Sequence, residues 1–253
     1  MNGFAAFALK EVREIVRTWR IWVLPGIVLF FAVTGPILAR YTPQILGAVV
    51  SDQIPGLNLP TPTAVDAYAQ WMKNLSQIVL FTVIISYGGL VSGEVRSGTA
   101  ALVLTKPLSR AAFVVAKAVV HGIFLVVAVL AGTLVTWGVT AVFFDGAPAG
   151  PLWSGTLVWL VFGVLFVALM ALLSVVLRSA AGAAGIGIAV YAVLSAAALW
   201  KPLGRYSPAA LTPQAASLAA GQEADVLWPV LTGLILAAVL VAAAALSFRR
   251  QDL

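Results

Sequence analysis

The chain has 253 residues, of which 62% are hydrophobic and only 9% charged, against about 25% charged in an ordinary soluble domain. With a mean hydropathy of +1.04, that composition excludes a soluble enzyme and requires a bilayer. Six membrane helices of about 20 apolar residues each would use roughly half the chain, leaving no room for a second, soluble catalytic domain of ordinary size.

Residues 1–20 carry charges where a signal peptide would need an apolar run and a small-residue cleavage site. On a helical wheel Phe4, Ala8, Val12, Ile15, Val16 and Trp19 fall within an arc of about 120°, with Lys10, Arg13, Arg17 and Arg20 on the other side. The pattern predicts an amphipathic helix. Its basic face, with Phe4 and Trp19, suits the headgroup plane of an anionic leaflet; a partly solvated helix packed on protein would read the same way.

The first span is expected at 21–39, kinked by Pro25 and Pro36. Residues 40–72, with Pro43, Pro55, Pro60 and Pro62, read as an ordered loop closing on a short helix from Thr63 toward Trp71. Further spans follow at 75–92, 117–143, 153–177, 182–200 and 228–247, the third and fourth joined by a turn at Asp145–Pro148. Gly and Ala enrich the fifth, which predicts a span packed inside the bundle. A proline-bearing loop is expected at 201–226, and a tail at 249–253. The expected organisation is therefore an all-α polytopic membrane protein: interfacial helix 1–20, six-span domain 21–248, and tail.

Six spans put both termini on one side. With the termini inside, the inner segments hold Lys10, Arg13, Arg17, Arg20, Arg96, Lys106, Arg110, Lys117, Arg178, Arg249 and Arg250, and the outer ones only Arg40, Lys73, Lys201 and Arg205. The positive-inside rule then places the termini, and the segment 93–117, in the cytoplasm of a multi-pass protein of the cytoplasmic (inner) membrane. The net charge of +6 and the pI near 10.0 belong to this asymmetry, and no nucleic-acid partner is expected.

Catalytic chemistry is sparse. There is no cysteine and one histidine, His121, so thiolate, HExxH and multi-histidine metal sites are excluded. No GxSxG motif, no Gly-Lys pair of a phosphate-binding P-loop and no mid-span carboxylate is present. The expectation is a non-catalytic chain with no catalytic residue, no metal and no cofactor of its own. The polar segment SGEVRSGTAALVLTKPLSR carries more information. Thr99 is placed to cap a short helix over 100–105, Pro107 to end it, and Ser109 to cap the third span. Such a helix would present Ala101, Leu102 and Leu104 in a frame of charge, a pattern of protein contact, although a solvated loop fits the same residues.

Glu94, Gly98-Thr99, the apolar run Leu102–Leu104, Pro107-Leu108-Ser109-Arg110 and Lys117, together with the basic N-terminal helix, Gln70-Trp71, Asn74–Gln77 and the Phe248-Arg249-Arg250 ending, resemble the type 2 ABC exporter permeases. The likeness is to their small six-span branch of the nitrous oxide reductase maturation type. The resemblance implies an elbow helix at the N-terminus and, within 93–110, a coupling helix that docks on a separate ATPase. Partner coupling would fall to Glu94, Arg96, Gly98, Thr99, Leu102, Leu104, Lys106, Pro107, Leu108, Ser109 and Arg110, and membrane-interface contact to Phe4, Lys10, Arg13, Arg17, Trp19 and Arg20. It also implies two cytoplasmic ATPase subunits carrying ATP and magnesium, and a second permease chain, identical or paralogous. The rival expectation is a membrane scaffold or assembly factor that binds a cytoplasmic partner without transport. The apolar spans fit a hydrophobic cargo better than a hydrated one.

Overall fold

A computed structural model describes residues 3–50, 61–105 and 108–251. They form helices and, among the described residues, no strand. In chain order these are α1 (Gly3–Arg17), α2 (Arg20–Val50), α3 (Ala64–Asn74), a π-turn (Leu75–Val79), α4 (Leu80–Tyr87), α5 (Ser92–Arg96), α6 (Thr99–Leu104), α7 (Arg110–Phe143), α8 (Ala149–Val176), α9 (Ala180–Ala197), α10 (Lys201–Tyr206), a 3₁₀ turn (Pro208–Ala210), α11 (Leu211–Ala219) and α12 (Leu227–Arg249). Among the described residues, six stretches are long and apolar enough to cross a bilayer: Ile21–Ile45, Ala64–Arg96, Arg110–Phe143, Ala149–Val176, Ala180–Ala197 and Leu227–Arg249. The chain is an all-α, multi-pass membrane protein.

Three expectations need correction. Residues 40–50 are helix, not loop: α2 runs through Pro25, Pro36 and Pro43, because a membrane helix tolerates proline where neighbours and local adjustment satisfy the freed carbonyls. The expected short helix is α3, started at Thr63 by the Asp66 carboxylate, which accepts from the Thr63 amide (2.7 Å) and hydroxyl (2.9 Å); it continues through the π-turn into α4 as one rod. Residues 201–226 contain α10 and α11, and α11 buries Leu211, Ala215 and Ala219.

The fifth span is the third correction. Only 11% of its most apolar stretch is buried, against 72% for α8. Small residues permit close approach, but α9 uses that permission on one face only, where Ala183 and Gly187 are buried. The rest is bare in a single chain.

The main core lies between α2, the α3–α4 rod, α7, α8 and α11, with Trp71, Trp159, Tyr68, Phe162 and Phe166 fully buried. Two of its polar tips are partnered across elements. Trp159 Nε1 donates to Ser76 Oγ at 3.0 Å and Tyr68 Oη to the Pro148 carbonyl at 3.1 Å. The second of these ties α3 to the turn at 145–148, where Gly146 takes a φ of +72°.

Candidate coupling site

At the end of the bundle that carries both termini, the second span breaks. The helix stops at Tyr87, residues 88–91 form a turn, and α5 restarts at Ser92. The backbone amides of Val91 and Ser92 both donate to the Ser174 hydroxyl of α8, at 2.9 and 3.1 Å. Gly88 sits directly against the Ala180 carbonyl, where a Cβ would collide with backbone.

After α5 the chain reverses at Gly98, whose φ of +74° lies in the left-handed region that costs an ordinary L-residue roughly 1–2 kcal/mol. Gly98 is the N-cap of α6, so Thr99 is its first helical residue and not the cap expected; the Thr99 hydroxyl instead meets Ser97 Oγ at 2.9 Å. Within α6, Ala100 is buried and Leu102 is 72% exposed. Leu104, expected to face outward, is partly buried with Val103 and Leu108, because positions 103 and 104 lie three and four residues after the buried Ala100 and so share its face of the helix. The Ser109 hydroxyl caps α7 by accepting from the Ala112 amide at 3.1 Å. Gly98→Ala should therefore loosen α6 selectively, speeding amide exchange over residues 99–104 by about fivefold to thirtyfold; an unchanged exchange pattern would show that the turn is not strained.

Beneath α6 lies a second apolar cluster, separate from the main core. Phe7 of α1, Phe113 of α7 and Phe248 of α12 stack in a column with centroid separations of 4.9 and 5.5 Å. Arg110 Nη1 donates to the carbonyls of Arg249 and Gln251, and Gln251 Nε2 donates to the Val175 carbonyl at 2.7 Å. These contacts bind the beginning of α7 to the ends of α8 and α12.

Beside this column is a knot of charge. Lys117 of α7 is fully buried, its Nζ 2.8 Å from Glu11 Oε2 and 2.7 Å from Glu94 Oε1. Lys10 Nζ reaches Glu11 (3.0 Å), Glu14 (2.6 Å) and Glu94 (3.2 Å). His121 Nε2 stands 3.8 Å from Glu11 Oε2, and the His121 ring meets Tyr87 edge-on. The ammonium of Lys117 also lies 5.9 Å from the centre of the Phe7 ring and 5.3 Å from that of Phe113. Carboxylate oxygens of Glu11, Glu14 and Glu94 fall within 4.8 Å of one another, the spacing of a metal site, but the two lysine ammonium groups already supply the positive charge among them. Burial pushes the Glu11 carboxyl up, yet His121, the charge of Lys117 and the hydrogen bonds from both lysines outweigh it and hold the group well below the usual carboxylate range. Burial pushes Lys10 down, and its carboxylate partners outweigh that to hold it above the ordinary lysine value.

The profile of the ABC-2 family transporter proteins matches residues 5–253. The chain belongs to the ABC-2 transporter family. It is 26% identical over 258 residues to an uncharacterized transmembrane protein of Bacillus subtilis (strain 168), YxlG, covering 100% of this chain and 99% of that protein. It is also 30% identical over 200 residues to NosY of Stutzerimonas stutzeri, described as a probable ABC transporter permease protein, covering 76% of this chain and 66% of that one. The chain is a membrane permease component of an ABC transporter.

Within this ABC-2 permease, the residues singled out from sequence divide into two groups. Glu94 and Arg110 point inward and are held by Lys10, Lys117 and the C-terminal carbonyls. Arg96 and Leu102 face outward, whereas Thr99 and Leu104 are partly buried. Lys106 and Pro107 lie outside the described residues, as does the Arg20 side chain. On α1, Phe4, Arg13 and Arg17 are exposed and Lys10 is half-buried in the knot, and Trp19, in the turn after α1, is exposed. The residue that sequence reasoning missed is Glu11, which is 1% exposed. Its signal was available: at about 20° on the wheel it falls between Phe7 and Ile15, an acid inside the buried stripe.

Proposed function

We propose that the chain is the permease subunit of an exporter driven by a separate ATPase, docked on the outward face of α5 and α6, with this end of the bundle in the cytoplasm. The observation that carries the reading is the build of α6. It is a short helix fixed at one end by the Gly98 turn and braced beneath by the phenylalanine column, with Leu102 left bare at its centre. A rigid, capped element with one exposed apolar anchor suits transmission of force from a partner protein. The excess of basic residues at this end supports a cytoplasmic placement. A groove of about 530 Å³ between α5 and the end of α8, bordered by Arg96 and Arg178, extends the docking face and favours an acidic partner surface.

ATP and magnesium belong, on this reading, to two partner ATPase chains. The bare faces of α9 and of the π-turn, where Gln77 is exposed at mid-span, support a second permease copy or paralogue covering them, since an amide facing lipid tails is costly. Leu102→Glu should insert into the membrane normally but fail to co-purify with the P-loop ATPase expressed beside it, while the unaltered chain retains it. Retention of the ATPase by Leu102→Glu would move the docking site elsewhere. Capture of a non-ATPase partner in its place would favour the scaffold reading.

A further inference from the structure

The two apolar clusters meet at one level of the bundle. In the second span the main core ends at Leu90 and the lower cluster begins at Val91; in α7 the change falls between Ala118 and Ala116 and in α12 between Val241 and Ala244, while in α8 the two interleave past Ala171, with Leu172 and Val175 on the lower cluster and Leu173 and Leu177 on the main core. Polar groups occupy that level: Lys117 on α7, and Ser92 facing Ser174 between α5 and α8. Three of the helices pass through it unbroken, and the second span does not. The coupling segment 92–105 is thus joined to its own span through a turn that keeps local backbone hydrogen bonds, from Leu90 to Tyr87 and from Gly93 to Gly89, and is braced from another helix by Ser174.

A segment hung on a turn would dissipate any push it receives unless something stiffer ties it to the bundle. Lys117 is that tie. Its single ammonium fastens Glu94 on the coupling segment and Glu11 on α1 at 2.7 and 2.8 Å, with Lys117 and Glu11 each 1% exposed and Glu94 14%. We infer that Lys117 is the transmission point of this permease: a displacement of segment 92–105 passes through it to α7 and to α1 together, so that the N-terminal helix moves as part of the coupling machinery and not as a passive float on the membrane. Lys10, which also bridges Glu11 and Glu94, makes α1 and α5 a single unit at this point. The inference rests on the proposed docking of an ATPase at α6, and its test separates the two.

The chain has no cysteine, so paired spin labels can be introduced without background at the exposed positions Val16 on α1, Leu102 on α6, Val119 on α7 and Val239 on α12. In the permease alone, Val16–Val119 and Leu102–Val119 should each give one narrow distance. Glu94→Gln should broaden only the Leu102 pair and Glu11→Gln only the Val16 pair, whereas Lys117→Met should broaden both. Narrow distances in the two glutamine variants, which are isosteric and keep the fold, would overturn the fastening whether or not Lys117→Met folds. In the complex with its ATPase, Mg-ATP should shift the Val16–Val239 distance in the unaltered chain. That shift should be lost in Glu11→Gln while ATP hydrolysis continues. A complex that hydrolyses ATP without moving this distance, or that moves it equally in Glu11→Gln, would overturn the transmission. If no ATPase binds, the docking proposal falls, and the distances in the permease alone still decide the fastening.

Discussion

Lys117→Met is expected to lower the stability of the detergent-solubilised chain by about 3–5 kcal/mol, the usual cost of removing one partner from a buried ion pair. Methionine fills much of the space, so packing is not the main loss. What remains is the problem: Glu11, 1% exposed, and Glu94 keep their negative charges, with Lys10 touching both from the half-exposed side. The sign of the pH dependence follows. In the unaltered chain Glu11 is depressed, so its contribution is fully present above the ordinary carboxylate pKa and is lost as pH falls toward the folded value. In Lys117→Met the stranded Glu11 carboxylate instead gains by binding a proton, so the deficit should be larger at alkaline than at mildly acidic pH. Replacing Glu11, Glu94 and Lys117 together by leucine and methionine should recover most of the loss, because a fully apolar substitute avoids desolvating any charge. Glu14→Gln, at the half-buried edge of the knot, should cost no more than about 1 kcal/mol. Denaturant unfolding of the three variants and the unaltered chain checks the series, and a deficit that does not change with pH would mean that the loss is one of packing.

Gly132→Ala should cost about 1–3 kcal/mol or more, the range of overpacking in a close-fitted interior. A Cβ at Gly132 would overlap Val28 Cγ1 of α2 and stand 2.8 Å from the Trp71 ring, and both neighbours are fully buried. Neither can withdraw without parting α2 from α7 or shifting the largest side chain of the core. Gly138, two turns further along the same helix, has nothing within 4 Å of a Cβ. Gly138→Ala should therefore be neutral or stabilising by up to about 1 kcal/mol, through helix propensity alone. Equal losses in the two variants would refute an origin in the Val28–Trp71 contact.

The spans were legible because each needs a long apolar run, a signal that hydropathy carries without knowledge of neighbours. Their ends and exposures were not. Pro43 reads as a loop residue by the rules of water-soluble chains, and only the membrane setting lets α2 continue through it. The small residues of α9 state that something approaches closely, but not how many of its faces are covered. At the coupling site, Gly98 and Ser109 were legible as local backbone chemistry, with the cap displaced by one residue from Thr99. The partners of Glu94 were not: Lys117 lies 23 residues away and Lys10 lies 84 away, and no local pattern encodes a three-helix junction.

Ser174 gives the bundle a register. One hydroxyl accepts the two amides that the break in the second span leaves free, and in a bilayer an unmet amide costs several kcal/mol. A slip of the second span along α8 by a single helical rise of about 1.5 Å would carry both amides off their acceptor. The apolar walls on either side would tolerate that slip, since one aliphatic surface slides on another at little cost. The vertical alignment of these two spans is therefore keyed at two points, by the Trp159–Ser76 hydrogen bond within the core and by the Ser174 oxygen at the break, and the height at which the coupling segment leaves the membrane is set from the fourth span.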